Sequence, residues 1–171
     1  MPILQWLGIV RAGSDGPEPD GVAEIERQLA TLAPDRAHFV ASFAYLLGRV
    51  ARADHDVTPP ETATMERLVA ERGGLSPEDA RLAVRIATAH GLRFGGTDDF
   101  LVARNFSAAA TREEKLALLD CLFAVSASDA SIRTIEDNEI RRIASEMNIG
   151  HEDFIAARQA WAKHLSVLRR S

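Results

Sequence analysis

Phe39-Val-Ala-Ser-Phe-Ala-Tyr-Leu-Leu-Gly-Arg-Val-Ala-Arg-Ala53 decides the fold, because wound as a helix it is apolar almost all round. A helix with that pattern is stable in water only when neighbours cover it on several sides, so this stretch predicts a central rod. A second stretch behaves the same way. Lys115 to Ala127, with Leu-Ala-Leu-Leu-Asp-Cys-Leu-Phe-Ala-Val in its middle, follows the capping box Thr111-Arg112-Glu113-Glu114. Two central helices therefore organise the chain.

The segments around them read as shorter amphipathic helices. Val22, Ile25, Leu29 and Leu32 form a narrow stripe before Pro34. Thr58-Pro59-Pro60-Glu61 opens a helix with buried Met65, Leu68 and Val69, which Gly73-Gly74 stops. Ser76-Pro77-Glu78-Asp79 opens another, running to His90-Gly91 with Leu82, Ile86 and Ala89 on one side. Gly95-Gly96 divides the chain, and a shorter helix spans Asp98 to Phe106. Thr134 to Met147 presents Ile135, Ile140 and Ile143. The final helix is expected from His151 to Leu168, with Phe154, Ile155, Trp161 and Leu165 inward. Strand alternation and Asn-Gly hairpin signals are absent. The expected class is all-α, a compact multi-helix bundle of two related halves.

The two halves superpose in sequence at an offset of 75 residues, which sets Leu47 on Leu122, Val50 on Val125, Asp54 on Asp129, Asp56 on Ser131 and Glu61 on Glu136. Met65 and Leu68 then meet Ile140 and Ile143, and one deleted residue later Glu78-Asp79 meets Glu152-Asp153. A colinear run of apolar helix, acidic turn, amphipathic helix and next helix start points to duplication. The domain reading is a short helix and Gly/Pro/Asp-rich linker over 1–20, then one all-α domain over 21–171 with pseudo-repeats at about 39–91 and 111–168.

Composition narrows the function. The 171 residues are 46% hydrophobic, 26% charged and only 6% aromatic, so Ala, Leu, Ile and Val fill a core large enough to need no staples. The net charge of −5, from 25 acids and 20 bases, argues against a nucleic-acid-binding surface. Cys121, the one cysteine, lies in an apolar run and reads as a buried small hydrophobe. No apolar stretch reaches the length of a bilayer span, and the opening Met1-Pro2-Ile3-Leu4-Gln5-Trp6-Leu7-Gly8 has neither basic leader nor cleavage site, so a cytoplasmic location is expected.

The repeated acids carry the chemistry. Asp54 and Asp129 fall at or just past helix C-termini, where the macrodipole disfavours a carboxylate by about 0.3–1 kcal/mol. A divalent cation would offset that, since carboxylates and free helix-end carbonyls are the hard ligands that magnesium and calcium take. Glu61 and Glu136, seven positions on in each half, stand ready to complete such a site. A local account competes with this one. Glu61 is the capping partner of Thr58, and Arg49, Arg52 or Arg133 neutralises the aspartates in surface pairs. In the second half Thr134 reads as the cap and Asp137 as its partner, a register slipped by one.

An EF-hand loop is excluded. Counted from Asp54 its sixth and twelfth positions hold Pro59 and Met65, and from Asp129 they hold Thr134 and Ile140, where Gly and Glu are required. Gly-rich phosphate loops, Gly-x-Ser-x-Gly and His-Glu-x-x-His are absent, and His38, His90, His151 and His164 are scattered; only His55 stands between two aspartates. No catalytic constellation is visible, so an enzyme is not expected.

The segments Ala51-Arg-Ala-Asp-His-Asp-Val-Thr-Pro-Pro-Glu61 and Ala124-Val-Ser-Ala-Ser-Asp-Ala-Ser-Ile-Arg-Thr-Ile-Glu136 resemble the paired Ala-Asp-Gly … Glu signatures of the tellurite-resistance TerB-like family. The resemblance spans roughly residues 39 to 161. It implies a compact all-helical fold related to the N-terminal domain of a membrane-attached DnaJ-type co-chaperone, with acids proposed to bind metal. It also implies a part in stress-linked or membrane-associated complexes. The matching acids are Asp54 and Glu61, then Asp129 and Glu136, with Asp56 as an additional candidate ligand. His55 and Ala130 replace the family's Gly, and Ser131 stands opposite Asp56, which leaves the second turn poorer in charge. The expected function is a non-catalytic module binding calcium, magnesium or zinc. The alternative is a metal-free helical scaffold that docks a protein, or a membrane through the N-terminal segment bearing Trp6, with Trp161 and Arg169-Arg170 at the other end.

Overall fold

The computed structural model describes residues 21–51, 58–89, 99–128 and 132–165. The segment 1–20, the expected break at Gly95-Gly96 and the tail from 166 onward lie outside the described residues. Among the described residues eight α-helices follow one another: α1 Val22–Ala30, α2 Pro34–Ala51, α3 Pro59–Gly73, α4 Pro77–Thr88, α5 Asp99–Ala109, α6 Arg112–Ala127, α7 Thr134–Glu146 and α8 His151–Gln159. A short 3-10 turn, Ala162–His164, closes the described chain.

The two apolar stretches form the centre. In α2 every residue from Val40 to Val50 is buried, as is every residue from Leu118 to Ala127 of α6 apart from the half-buried Asp120. Helices α2 and α6 pack on each other, and the halves exchange partners: α3 of the first packs on α6, and α7 of the second packs on α2. Within each half the third helix returns to its own rod, α4 to α2 and α8 to α6. Helix α5 bridges α2 and α7, seated by the rings of Phe39, Phe43 and Phe106 at centroid distances of 5.2–6.4 Å. Phe123 and Phe154, 6.2 Å apart, join α6 to α8.

Small details repeat with the helices. Gly74 ends α3 in the left-handed region at φ 74°, and Asn148, its counterpart after the deletion, follows α7 at φ 56°. Glycine and asparagine are the residues that tolerate this helix ending. The first turns of the central rods are pinned alike: Arg36 pairs with Asp79 at 2.8 Å, and Arg112 pairs with Asp153 at 2.8 Å. Gly73 sits where a Cβ would come 2.8 Å from the buried ring of Phe43, so the seating of that ring against α3 favours glycine there.

Some sequence expectations are corrected. Pro34 opens α2 instead of merely ending the preceding helix, because proline is at home in a first turn where no N–H is needed. The last helix stops at Gln159 rather than Leu168. Leu165 is drawn into an extended pairing with Ile132, whose N–H donates to the His164 carbonyl at 2.6 Å. Ile135 is 60% exposed and Ile155 37%, since α7 turns Glu136, Ile140, Ile143 and Ala144 inward and Phe154 holds the inner position of α8.

Candidate functional site

Asp54, Asp56 and Asp129 lie outside the described residues, so the site is built from what flanks them. Each acidic turn runs from the end of a central rod to the start of the following helix, and the two glutamates sit at the same place in that start. Thr58 is the N-cap of α3 and Glu61 its third helical residue: the Glu61 N–H donates to Thr58 Oγ1 at 3.4 Å, and the Thr58 N–H donates to Glu61 Oε2 at 3.4 Å. Arg133 is the N-cap of α7, and its N–H donates to Glu136 Oε2 at 2.9 Å. Thr134 is therefore already helical and Asp137 is not a capping partner, which corrects the expected slip. The register of acid and helix start is the same in both halves, because the glutamate binds the free backbone N–H whatever side chain the cap residue carries.

Their surroundings differ. Glu61 is exposed at the rim of α3. Glu136 is 7% exposed, with the Arg133 guanidinium 3.6 Å from Oε1. Beside it Asp137 is buried and held by both prongs of Arg158, Nε to Oδ1 at 3.0 Å and Nη2 to Oδ2 at 2.8 Å. The hydrogen bond to Asp137 raises the Arg158 pKa against the opposing pull of burial. Among the described residues no group of three or more His, Cys, Asp or Glu side chains gathers as a metal site. The described carboxylates thus offer one hard oxygen ligand beside each turn, with the remaining candidates on the turns themselves.

Arg49 is the residue that sequence reasoning placed wrongly. It was expected at the surface beside the aspartates, yet its side chain is fully buried, donating from Nε to Glu139 at 2.8 Å and from Nη1 to Glu146 at 2.7 Å. Burial pulls its pKa down, but the hydrogen bonds and charges of Glu146 and Glu139 override that and the net shift is upward. A guanidinium inside an otherwise apolar rod was the available signal, since such a charge must find carboxylates on a neighbouring helix. A second polar clasp was also missed: Trp161 Nε1 donates to Asp120 at 2.9 Å, and Arg72 approaches the same carboxylate at 3.4 Å while lying over the indole ring. Cys121 is buried as expected, and burial pushes its thiol up to about 12. No described helix is long and apolar enough to cross a membrane.

A duplicated all-helical domain, with an acidic turn leading from each central rod into a capped helix, is the class that this fold and site define. The chain belongs to the TerB family: the model described as "Tellurite resistance protein TerB" matches residues 40–159, from the first turns of α2 to the end of α8. Comparison with curated proteins and with solved structures gives no match.

Proposed function

We propose that the chain is a non-catalytic TerB-like module that takes up a divalent cation at its acidic turns, chiefly the first. The observation that carries this reading is the shared position of Glu61 and Glu136 at the third residue of α3 and α7, each seven residues after an aspartate of the preceding turn. Asp54, Asp56 and Glu61 supply three carboxylates in the first turn, whereas the second has only Asp129 and a glutamate already enclosed with Arg133. A bound cation would neutralise aspartates that follow in sequence the negative end of a central rod. Membership of a tellurite-resistance family supports a role in stress response.

Calorimetric titration of the full chain with calcium, magnesium, zinc and manganese tests the reading. Saturable heat with at least one metal is expected, lost in Asp54→Ala and only weakened in Asp129→Ala. Absence of heat with all four metals, together with an Asp54→Ala, Asp129→Ala variant that melts like wild type in each of them, refutes it.

A further inference from the structure

A cleft of about 560 Å³ opens between the C-terminal end of α1, the first half of α3 and one face of α4. That volume falls within the range of small-molecule sites. Its α1 wall, Gln28, Thr31 and Leu32, precedes the span that the family match covers.

The hydrogen-bonding character of the walls is one-sided. Thr31, Thr62 and Thr88 all donate their hydroxyl protons to their own helices, to the carbonyls of Gln28, Thr58 and Val84, and so face the cleft as acceptors. Gln28 directs one amide N–H to Glu24, which leaves its oxygen as a further acceptor and its second N–H as a donor. Three carboxylates line the same space: Asp79 is held by Arg36 at 2.8 Å, whereas Glu66 on α3 and Glu78 in the first turn of α4 have no ion-pair partner among the described residues. The charged donors are Arg81 and Arg85, one turn apart on α4; Arg81 uses only Nε, on the Pro77 carbonyl, and neither has an acidic partner among the described residues.

Besides the paired Asp79, four charges of both signs thus share one cleft without pairing with one another. A purely anionic ligand would meet Glu66 and Glu78, a purely cationic one would meet two guanidiniums, and a neutral one would pair with neither set. We propose that the cleft binds a ligand with an N–H-rich cationic head and a carboxylate, the chemistry of a basic amino acid or of a peptide ending in one. The head lies against Glu66, Glu78 and the threonine oxygens, and the carboxylate against the Arg81–Arg85 pair, with the methylene stem over Leu32 and Leu82.

The test is titration of the full chain with L-arginine, followed by calorimetry and by amide chemical shifts. Saturable binding is expected, with shifts at Thr31, Leu82 and Thr88. Agmatine, which lacks the carboxylate, and citrulline, which lacks the head charge, should each bind at least about tenfold more weakly, as loss of one charge-assisted contact implies. Glu66→Gln with Glu78→Gln should weaken arginine by a similar factor, as should Arg81→Gln with Arg85→Gln. The two small analogues decide the matter on wild-type protein should a double variant lose its helical circular dichroism. Binding of a short peptide ending in arginine as tight as that of the free amino acid assigns the cleft to peptide ends; its exclusion assigns it to the free molecule, and either keeps the proposal. Absence of saturable binding, or agmatine and citrulline binding as tightly as arginine, overturns it.

Discussion

The starts of α3 and α7 are the same device in two environments. Both follow an acidic turn, and both give their third-residue glutamate to the backbone N–H of the cap. At α3 the bonds are long and the glutamate faces solvent, while at α7 the bond is short and the glutamate is enclosed beside the Asp137–Arg158 fork. Of the two matching glutamates, Glu61 stays exposed and Glu136 is part of the packing. A position inherited twice need not keep the same task, because burial alone converts an exposed ligand into a structural acceptor.

The largest break in that symmetry lies at Arg49. The equivalent position in α6 is Ala124, so only the first rod buries a guanidinium, which the second half grips through Glu139 and Glu146. Arg49→Met strips the part-buried Glu139 of this partner and leaves Glu146 with Arg142 alone, and it should destabilise the fold by about 3 kcal/mol in urea denaturation. Ala124→Met tests only packing, so it should shift the midpoint less.

The next effect is at the fork. Asp137→Asn removes the charge that Arg158 clasps and should lower stability by about 2 kcal/mol, read from the same denaturation midpoint. The corresponding residue in the first half is Thr62, whose hydroxyl merely bonds back to Thr58, and Thr62→Ala should leave the midpoint nearly unchanged. Smaller again is the capping difference. Glu136→Ala should cost about 1 kcal/mol and Glu61→Ala a few tenths, measured as paired thermal melts. Equal losses at the two glutamates would remove the distinction between the turns.

Cys121 occupies the place that Leu46 holds in the first rod, and it behaves as a hydrophobe. Native protein at pH 8 should resist iodoacetamide and react only once unfolded. The sign of its linkage follows from the raised pKa. Below about 9, its ordinary value, the thiol is neutral in both states and adds no pH dependence. Between 9 and about 12 the unfolded chain ionises first, so stability should fall as pH rises.

Much of this architecture was legible because apolar periodicity and helix-start residues are local signals. The two rods, the boxes at Thr58 and Thr111, and the Glu78-Asp79/Glu152-Asp153 match all read directly from spacing. The errors arose where a distant contact overrode a local preference. Thr134 is the better cap by residue type, yet the turn places Arg133 there, because Ile132 is tied to the far end of the chain at Leu165. Ile135 looked like a core residue by type, but the rotation of α7 follows the carboxylates gripped by Arg49 and Arg158. Arg49 itself was visible as a charge, and only its partners, 90 and 97 residues away, were not.

Crystals grown with manganese would test the division of labour between the turns most directly, through anomalous density. A peak coordinated by Glu61 together with Asp54 or Asp56, stronger than any beside Glu136, is the result this account predicts. No peak at either turn, or one confined to Asp129 and Glu136, would contradict it.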